Sequence, residues 1–287
     1  MDYLLSLLFG VVEGLTEFLP VSSTAHIRAV QHFCGIPAGD PFWKMFAVVI
    51  QLGAILAVVG YFWKRIVEAF KTFPKGERGN KKWYNHPMSL VLIAFVVTAG
   101  PAVLLKKLID QNLENFTVMG LALIIGGVVM WVVDVAFRKP KITHVEEMGV
   151  LDAVWIGAVQ ILSALFPGTS RSMCTIAAGQ VFSMSRAAAL EFSFFLSIPT
   201  MIAATLKELK DYIRPAADKV TGIRPEALHL TGQQWGVLLL GTAVSFVVAW
   251  VVIAWFMNWV RKHGFVPFAI YRIVAGAGLL FVAMRGL

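Results

Sequence analysis

Residues 13–26 read EGLTEFLPVSSTAH. Two carboxylates four apart, a proline, three successive hydroxyls and a histidine sit in a neighbourhood that is otherwise apolar. Of 287 residues, 58% are hydrophobic and only 15% charged, where a soluble domain carries about 25% charge. Mean hydropathy is +0.73. Polarity concentrated this way in such a chain marks either a break in a membrane segment or a site.

A hydrocarbon core of about 30 Å asks for roughly 20 apolar helical residues. Six segments meet that length: 43–63, 88–109, 115–137, 186–206, 235–259 and 264–285. Two further apolar regions do not. Residues 3–34 are interrupted by LPVSS and 150–182 by FPGTSRS, so each reads as two short helices around a polar break. Irregular backbone at membrane depth is tolerated only inside protein or beside a water-filled cavity. The expected fold is therefore an all-α integral membrane protein, with six transmembrane helices plus two re-entrant helix–loop–helix hairpins.

The two breaks resemble each other. Residues 10–24, GVVEGLTEFLPVSST, align with 157–171, GAVQILSALFPGTSR, at a constant offset of 147, with five of fifteen positions identical. Each proposed repeat is one hairpin plus three spans, 1–137 and 150–287 of a single membrane domain. Three crossings reverse the side of entry, so the second hairpin enters from the opposite face. This is an inverted-topology repeat, whose broken helices meet near the midplane.

The net charge of +8 falls mostly in short loops and addresses anionic headgroups rather than nucleic acid. One side carries twelve Lys and Arg (64–87, 138–148, 260–264) and the other seven (106–115, 207–234). The first side reads as cytoplasmic, which leaves the first hairpin's mouth outside. The N-terminus has no basic n-region, which argues against a cleaved signal. Cys34 and Cys174 make neither a metal spacing nor a disulfide framework.

Glu13 and Glu17 share one face of a short helix. They either stay hydrated at a mouth, or hold a divalent cation or handle protons; carboxylate oxygens suit Mg²⁺ or Ca²⁺. Ser22, Ser23 and Thr24 follow a proline, where hydroxyls commonly cap helices. A nearby carboxylate and His26 also fit an activated nucleophile. A lone buried histidine is more often satisfied structurally than catalytic. In the second break, Gly168 lets backbone approach an anion, and Arg171 offers a planar fork suited to phosphate. Its structural alternative is a pairing with Glu13 or Glu17. Glu191 and Arg272, also at membrane depth, could pair with each other or with carbonyls. Trp43, Trp63, Trp83, Tyr84, Trp235 and Trp259 read as interfacial anchors. Gly126–Gly127 and the small residues of 274–278 read as close helix packing.

EGLTEFLPVSST followed by Ala-His, PGTSRS, EFSFFLSIP and PFAIYR together resemble the bacterial undecaprenyl pyrophosphate phosphatase family, of the bacitracin-resistance type, over residues 10–280. The resemblance implies a lipid phosphatase in the bacterial inner membrane, with its site open to the periplasm. Such an enzyme removes one phosphate from the C55 isoprenyl diphosphate and recycles the carrier for peptidoglycan synthesis. It implies Mg²⁺ or Ca²⁺ as cofactor and leaves a homodimer open. Carried over, Glu17, Ser23, His26 and Arg171 are catalytic, with Ser23 the nucleophile in preference to water. Ser22, Thr24, Gly168, Thr169, Ser170, Ser172 and Thr175 bind substrate, and Glu13 with Glu17 binds the metal. Ala25 stands where the family has Gly, and Met173-Cys174 where it has a small pair. The rival reading is a lipid-phosphate flippase or small-anion transporter on the same repeat.

Overall fold

The computed structural model describes every residue except 38, 76–81, 106–107, 110–111, 113, 214–228 and 286–287. Part of the loop charge used for orientation, in 76–81, 106–107 and 214–228, lies outside the described residues. The fold is all helical; among the described residues the only β-type pairing is an isolated bridge, Ile142 to Met184.

Among the described residues, six stretches are long and apolar enough to cross a membrane. The first, Pro41–Tyr61, consists of α3 (Pro41–Val49) and α4 (Gln51–Tyr61) joined at Ile50. The others are α6 (Pro87–Leu104), α7 (Phe116–Ala136), α10 (Arg186–Ile213), α11 (Gly232–Lys262) and α12 (Val266–Met284). Helix α10 runs seven residues past its expected end at 206. Its last turns carry Lys207, Glu208, Lys210 and Asp211, which remain helical beyond the apolar stretch. Between α4 and α6 lies α5 (Trp63–Thr72), which buries none of its residues.

Both interrupted regions fold as two helices around a turn. The first gives α1 (Asp2–Thr16) and α2 (Ser23–Phe33). The second gives α8 (Val150–Leu165) and α9 (Arg171–Val181). At 1.5 Å per residue, the 11-residue α2 and α9 are about 16 Å long, half a hydrocarbon core. The residue before each second helix, Ser22 or Ser170, has positive φ, +74° and +71°.

Packing repeats with the sequence. The bulk of α1 lies on α11 and that of α8 on α6, while α7 pairs with α12. A side chain at Gly10 would strike the Gly241 carbonyl, and one at Gly157 the Ala94 carbonyl. Both members of the second pair stand 147 residues from those of the first. In α7 and α12, Gly120 abuts Gly276 and Gly127 abuts Ala269, so these helices run antiparallel at close range. This is the small-residue packing expected there.

One expectation changes, and one pair of alternatives is resolved. Trp43 is 9% exposed and packs among Phe9, Phe42 and Phe46 rather than anchoring at an interface. Trp63, Trp83 and Trp235 are exposed. Glu191 and Arg272 do not pair with each other. Glu191 takes Arg65, which also reaches Glu146. Arg272 is 0% exposed and donates to the carbonyls of Pro20 (3.0 Å), Ala122 (3.1 Å), Gly168 (3.1 Å) and Thr169 (2.9 Å). One guanidinium thus fastens both elbows and α7 together. Gly126 makes room for it, since a Cβ there would run into Nη2.

Arg272→Met strands buried carbonyls, at about 1–3 kcal/mol for each unsatisfied group. Melting in detergent should therefore fall by about 5 °C or more, and Gly126→Val, by evicting the guanidinium, should behave alike. Gly278→Ala, whose new Cβ meets nothing within 4 Å, should melt like wild type. An unchanged melting temperature in Arg272→Met would show that the clamp carries no stability.

Candidate functional site

Helix α1 ends at Thr16, and the chain turns through Leu19, Pro20 and Val21 into Ser22. Holding a non-glycine residue at positive φ costs about 1–3 kcal/mol. Ser22 occupies the N-cap position of α2, yet its side chain does not cap. Its carbonyl instead meets His26 Nδ1 at 2.7 Å. The hydroxyls of this elbow are therefore not used up as caps. Ser23, the first residue of α2, turns back and donates its Oγ–H to Glu17 Oε2 at 2.5 Å.

In the second elbow one more residue separates proline from the helix: Pro167-Gly168-Thr169-Ser170 against Pro20-Val21-Ser22. Gly168 has φ +98°, and a Cβ there would meet the Met119 backbone. Both the turn and the close approach to α7 require glycine. Here the serine does cap, Ser170 Oγ accepting from Met173 N–H at 3.3 Å. By helix position Ser22 corresponds to Ser170 and Ser23 to Arg171. The constant offset of 147 expected from sequence thus becomes 148 after the elbow.

The elbows touch. Arg171 Nη2 donates to Glu17 Oε1 at 3.3 Å, and Nη1 to the Ser193 carbonyl at 3.1 Å. Ser172 Oγ donates to the Leu19 carbonyl at 3.0 Å and lies 3.0 Å from Ser170 Oγ. Thr175 Oγ1 donates to Ser193 Oγ at 2.7 Å, which braces the residue that holds Arg171. A guanidinium has five N–H donors, so Arg171 retains several for a ligand, its buried Nε among those without a partner.

Around this contact lies a pocket of about 240 Å³, lined by Glu17, Ser22, Ser23, Thr24, Gly168, Ser170 and Arg171. Gln51, Ser163, Met201 and Ala204 complete it; Ser163 falls within the aligned segment 157–171, and no motif in the sequence marks the other three. Ser193 lies within EFSFFLSIP, but only its carbonyl and hydroxyl contacts reveal its part.

Other expected site residues stand back from the pocket. Glu13 is 1% exposed beside Glu17, its Oε1 buried without a partner. Ser172 and Thr175 brace the elbows. Thr169 turns its hydroxyl to the Phe166 carbonyl. His26 faces Tyr271, stacked on it with Nε2 2.6 Å from the phenol oxygen; it does not line the pocket. Among the described residues, no group of three or more His, Cys, Asp or Glu is placed to hold a metal.

The arrangement pairs a hydroxyl with a carboxylate base, and that carboxylate with a cationic fork, at the bottom of a small polar cleft. It can deprotonate a serine and bind an anion in the same place. Comparison with known proteins points the same way. The chain is 55% identical over 284 residues to the undecaprenyl-diphosphatase of Koribacter versatilis (strain Ellin345), covering 99% of each. It is 40% identical to the undecaprenyl-diphosphatase of Caldanaerobacter subterraneus subsp. tengcongensis, covering 96% of this chain and 94% of the relative. To that of Flavobacterium johnsoniae it is 37% identical, covering 98% and 96%. Residues 6–278 match the family described as bacitracin resistance protein BacA, and the chain belongs to that family.

Proposed function

We propose that this chain is an integral-membrane phosphatase that hydrolyses undecaprenyl diphosphate to undecaprenyl phosphate and inorganic phosphate, returning the carrier lipid to peptidoglycan synthesis. The reading is carried by Ser23 Oγ, 2.5 Å from a Glu17 carboxylate that Arg171 also contacts. The shared name of the relatives supports the substrate.

Ser23 Oγ attacks the terminal phosphorus as its proton passes to Glu17. The bond from that phosphorus to the bridging oxygen breaks, and undecaprenyl phosphate departs with the oxygen and with the proton Glu17 returns. Arg171 faces the equatorial oxygens, where charge accumulates in the transition state. Glu17 then deprotonates a water that attacks the phosphoserine, and the proton restores the Ser23 hydroxyl as phosphate leaves. Direct attack by water is the alternative. His26, bound to the Ser22 carbonyl and to Tyr271, holds the start of α2 and so aims Ser23.

A divalent cation fits the remaining donors. Glu13 has an orphaned buried oxygen, and Mg²⁺ is commonly held by one or two carboxylates together with substrate phosphates and water. Glu13 and Glu17 would hold it, and it would neutralise charge on the diphosphate.

The same reading makes α1–α2 and α8–α9 re-entrant hairpins of an inverted repeat. Their short second helices, the three spans between them, and the reciprocal seats of α1 on α11 and α8 on α6 support it. The greater loop charge beside 64–87 favours a cytoplasmic-membrane protein whose pocket opens outward.

Purified protein should release phosphate from undecaprenyl diphosphate, and Ser23→Ala, Glu17→Gln and Arg171→Ala should each lower kcat by about 10²-fold or more. A phosphoenzyme trapped by acid quench should disappear in Ser23→Ala and persist in Thr24→Ala; fast single-turnover hydrolysis by Ser23→Ala would remove the serine nucleophile. EDTA should cut release by about 10²-fold, with Mg²⁺ restoring it at a higher concentration in Glu13→Gln; indifference to both treatments would remove the cation. An impermeant maleimide added to whole cells should label wild type at Cys34 and, in a Cys34→Ser background, Lys207→Cys but not Lys139→Cys. The reverse pattern would invert the topology.

A further inference from the structure

Two lateral cavities flank the elbows, and they occupy matching places. One, about 330 Å³, lies between α2, α7 and α12 and includes Ala25, His26 and Ala29. The other, about 470 Å³, lies between α7, α8 and α9 and includes Met173, Cys174 and Ala177. Each of these three stands 148 residues after its counterpart, the same shift that relates Ser22 to Ser170. The duplicated cavities have diverged. The smaller has a polar wall, where His26 stacks on Tyr271 and is hydrogen-bonded to it. The larger is walled by aliphatic and aromatic groups: Ile125 and Val129 from α7, Leu162 from α8, Phe166 just past its end, and Met173 from α9.

Resting on the phosphatase reading above, we infer that the isoprenyl tail of the substrate lies in the α7–α8–α9 groove. Continuity with the pocket selects that groove. Thr169 lines it, between Gly168 and Ser170, which line the phosphate pocket. A lipid whose terminal phosphate sits against Arg171 therefore needs only to pass one residue of the second elbow to enter hydrocarbon-like surroundings. The groove also opens sideways, since Ile125 is 61% exposed on a helix that crosses the membrane. A long tail can thus run out into lipid without threading. At about 30 Å³ per methylene-sized group, 470 Å³ accommodates roughly fifteen carbons, or about three isoprene units. Met173 suits such a wall because an unbranched thioether adapts to irregular apolar shapes. The Met173-Cys174 pair, where a smaller pair was expected, adds apolar surface to this groove rather than to the phosphate pocket.

A chain-length series tests the inference on the full protein in detergent, using C5, C15 and C55 prenyl diphosphates. In wild type, kcat/KM should rise by about tenfold or more from C5 to C15 and change far less from C15 to C55, because three units fill the groove. Ala177→Trp, which fills it, should collapse the C15-to-C5 ratio towards one. Ile125→Trp, built from an exposed position that folding does not depend on, should do the same. Gly278→Phe, which occupies the smaller cavity, should keep the wild-type ratio. A ratio that survives both groove substitutions, or one lost in Gly278→Phe, would overturn the assignment. Wild type that released no phosphate from any of the three would instead overturn the phosphatase reading beneath it.

Discussion

A single buried guanidinium determines where everything else can stand. Arg272 has no carboxylate among its hydrogen-bond partners; four backbone carbonyls compensate it, one from the first elbow, two from the second and one from α7. Carbonyls at helix ends and turns are the groups a membrane leaves most in need of donors. The clamp therefore satisfies the backbone of two irregular segments at once and fixes their separation. Ala122 and Arg272 each lie six residues from the start of their antiparallel helices, about 9 Å in, which sets the elbows well inside the bundle. The Glu17–Arg171 contact is a consequence of that placement.

The two elbows share a shape and differ in their chemistry. At the first position of the second helix, one half carries Ser23 and the other Arg171. The group proposed to attack phosphorus and the group proposed to steady its oxygens thus stand at equivalent positions of the two short helices. Four residues before Glu17, Glu13 corresponds to Gln160 at the offset of 147, and both are buried with one oxygen unpartnered. Gln160 spends its amide on Thr98, an uncharged arrangement that leaves the carboxylates of the site to the first half.

Much of this was legible because proline and hydroxyls interrupt apolar helices in a way no soluble-domain pattern mimics. LPVSS and FPGTSRS located both turns, and Glu17, Ser23 and Arg171 do meet. What stayed hidden has physical causes. The extra residue of the second elbow is a glycine at positive φ, which an ungapped alignment cannot register. Backbone carbonyls have no residue code, so the partners of Arg272 were invisible. A tryptophan near a span end looks the same whether it faces headgroups or, like Trp43, a cluster of phenylalanines. The direction of His26 depends on the Ser22 carbonyl and on Tyr271, 245 residues away, neither of which leaves a mark in the residue pattern around it.

The resting pocket already contains an anion of its own, the Glu17 carboxylate held against Arg171. In the proposed mechanism an incoming diphosphate does not meet a bare cation; it exchanges for an internal ligand that stays tethered a few ångströms away. Such tethering makes the bound state reversible from within, because the carboxylate can reclaim the fork once the transferred group has gone. Orthophosphate, with fewer charges and no hydrocarbon to hold it, then loses that competition most easily, and the cleft clears itself for the next lipid.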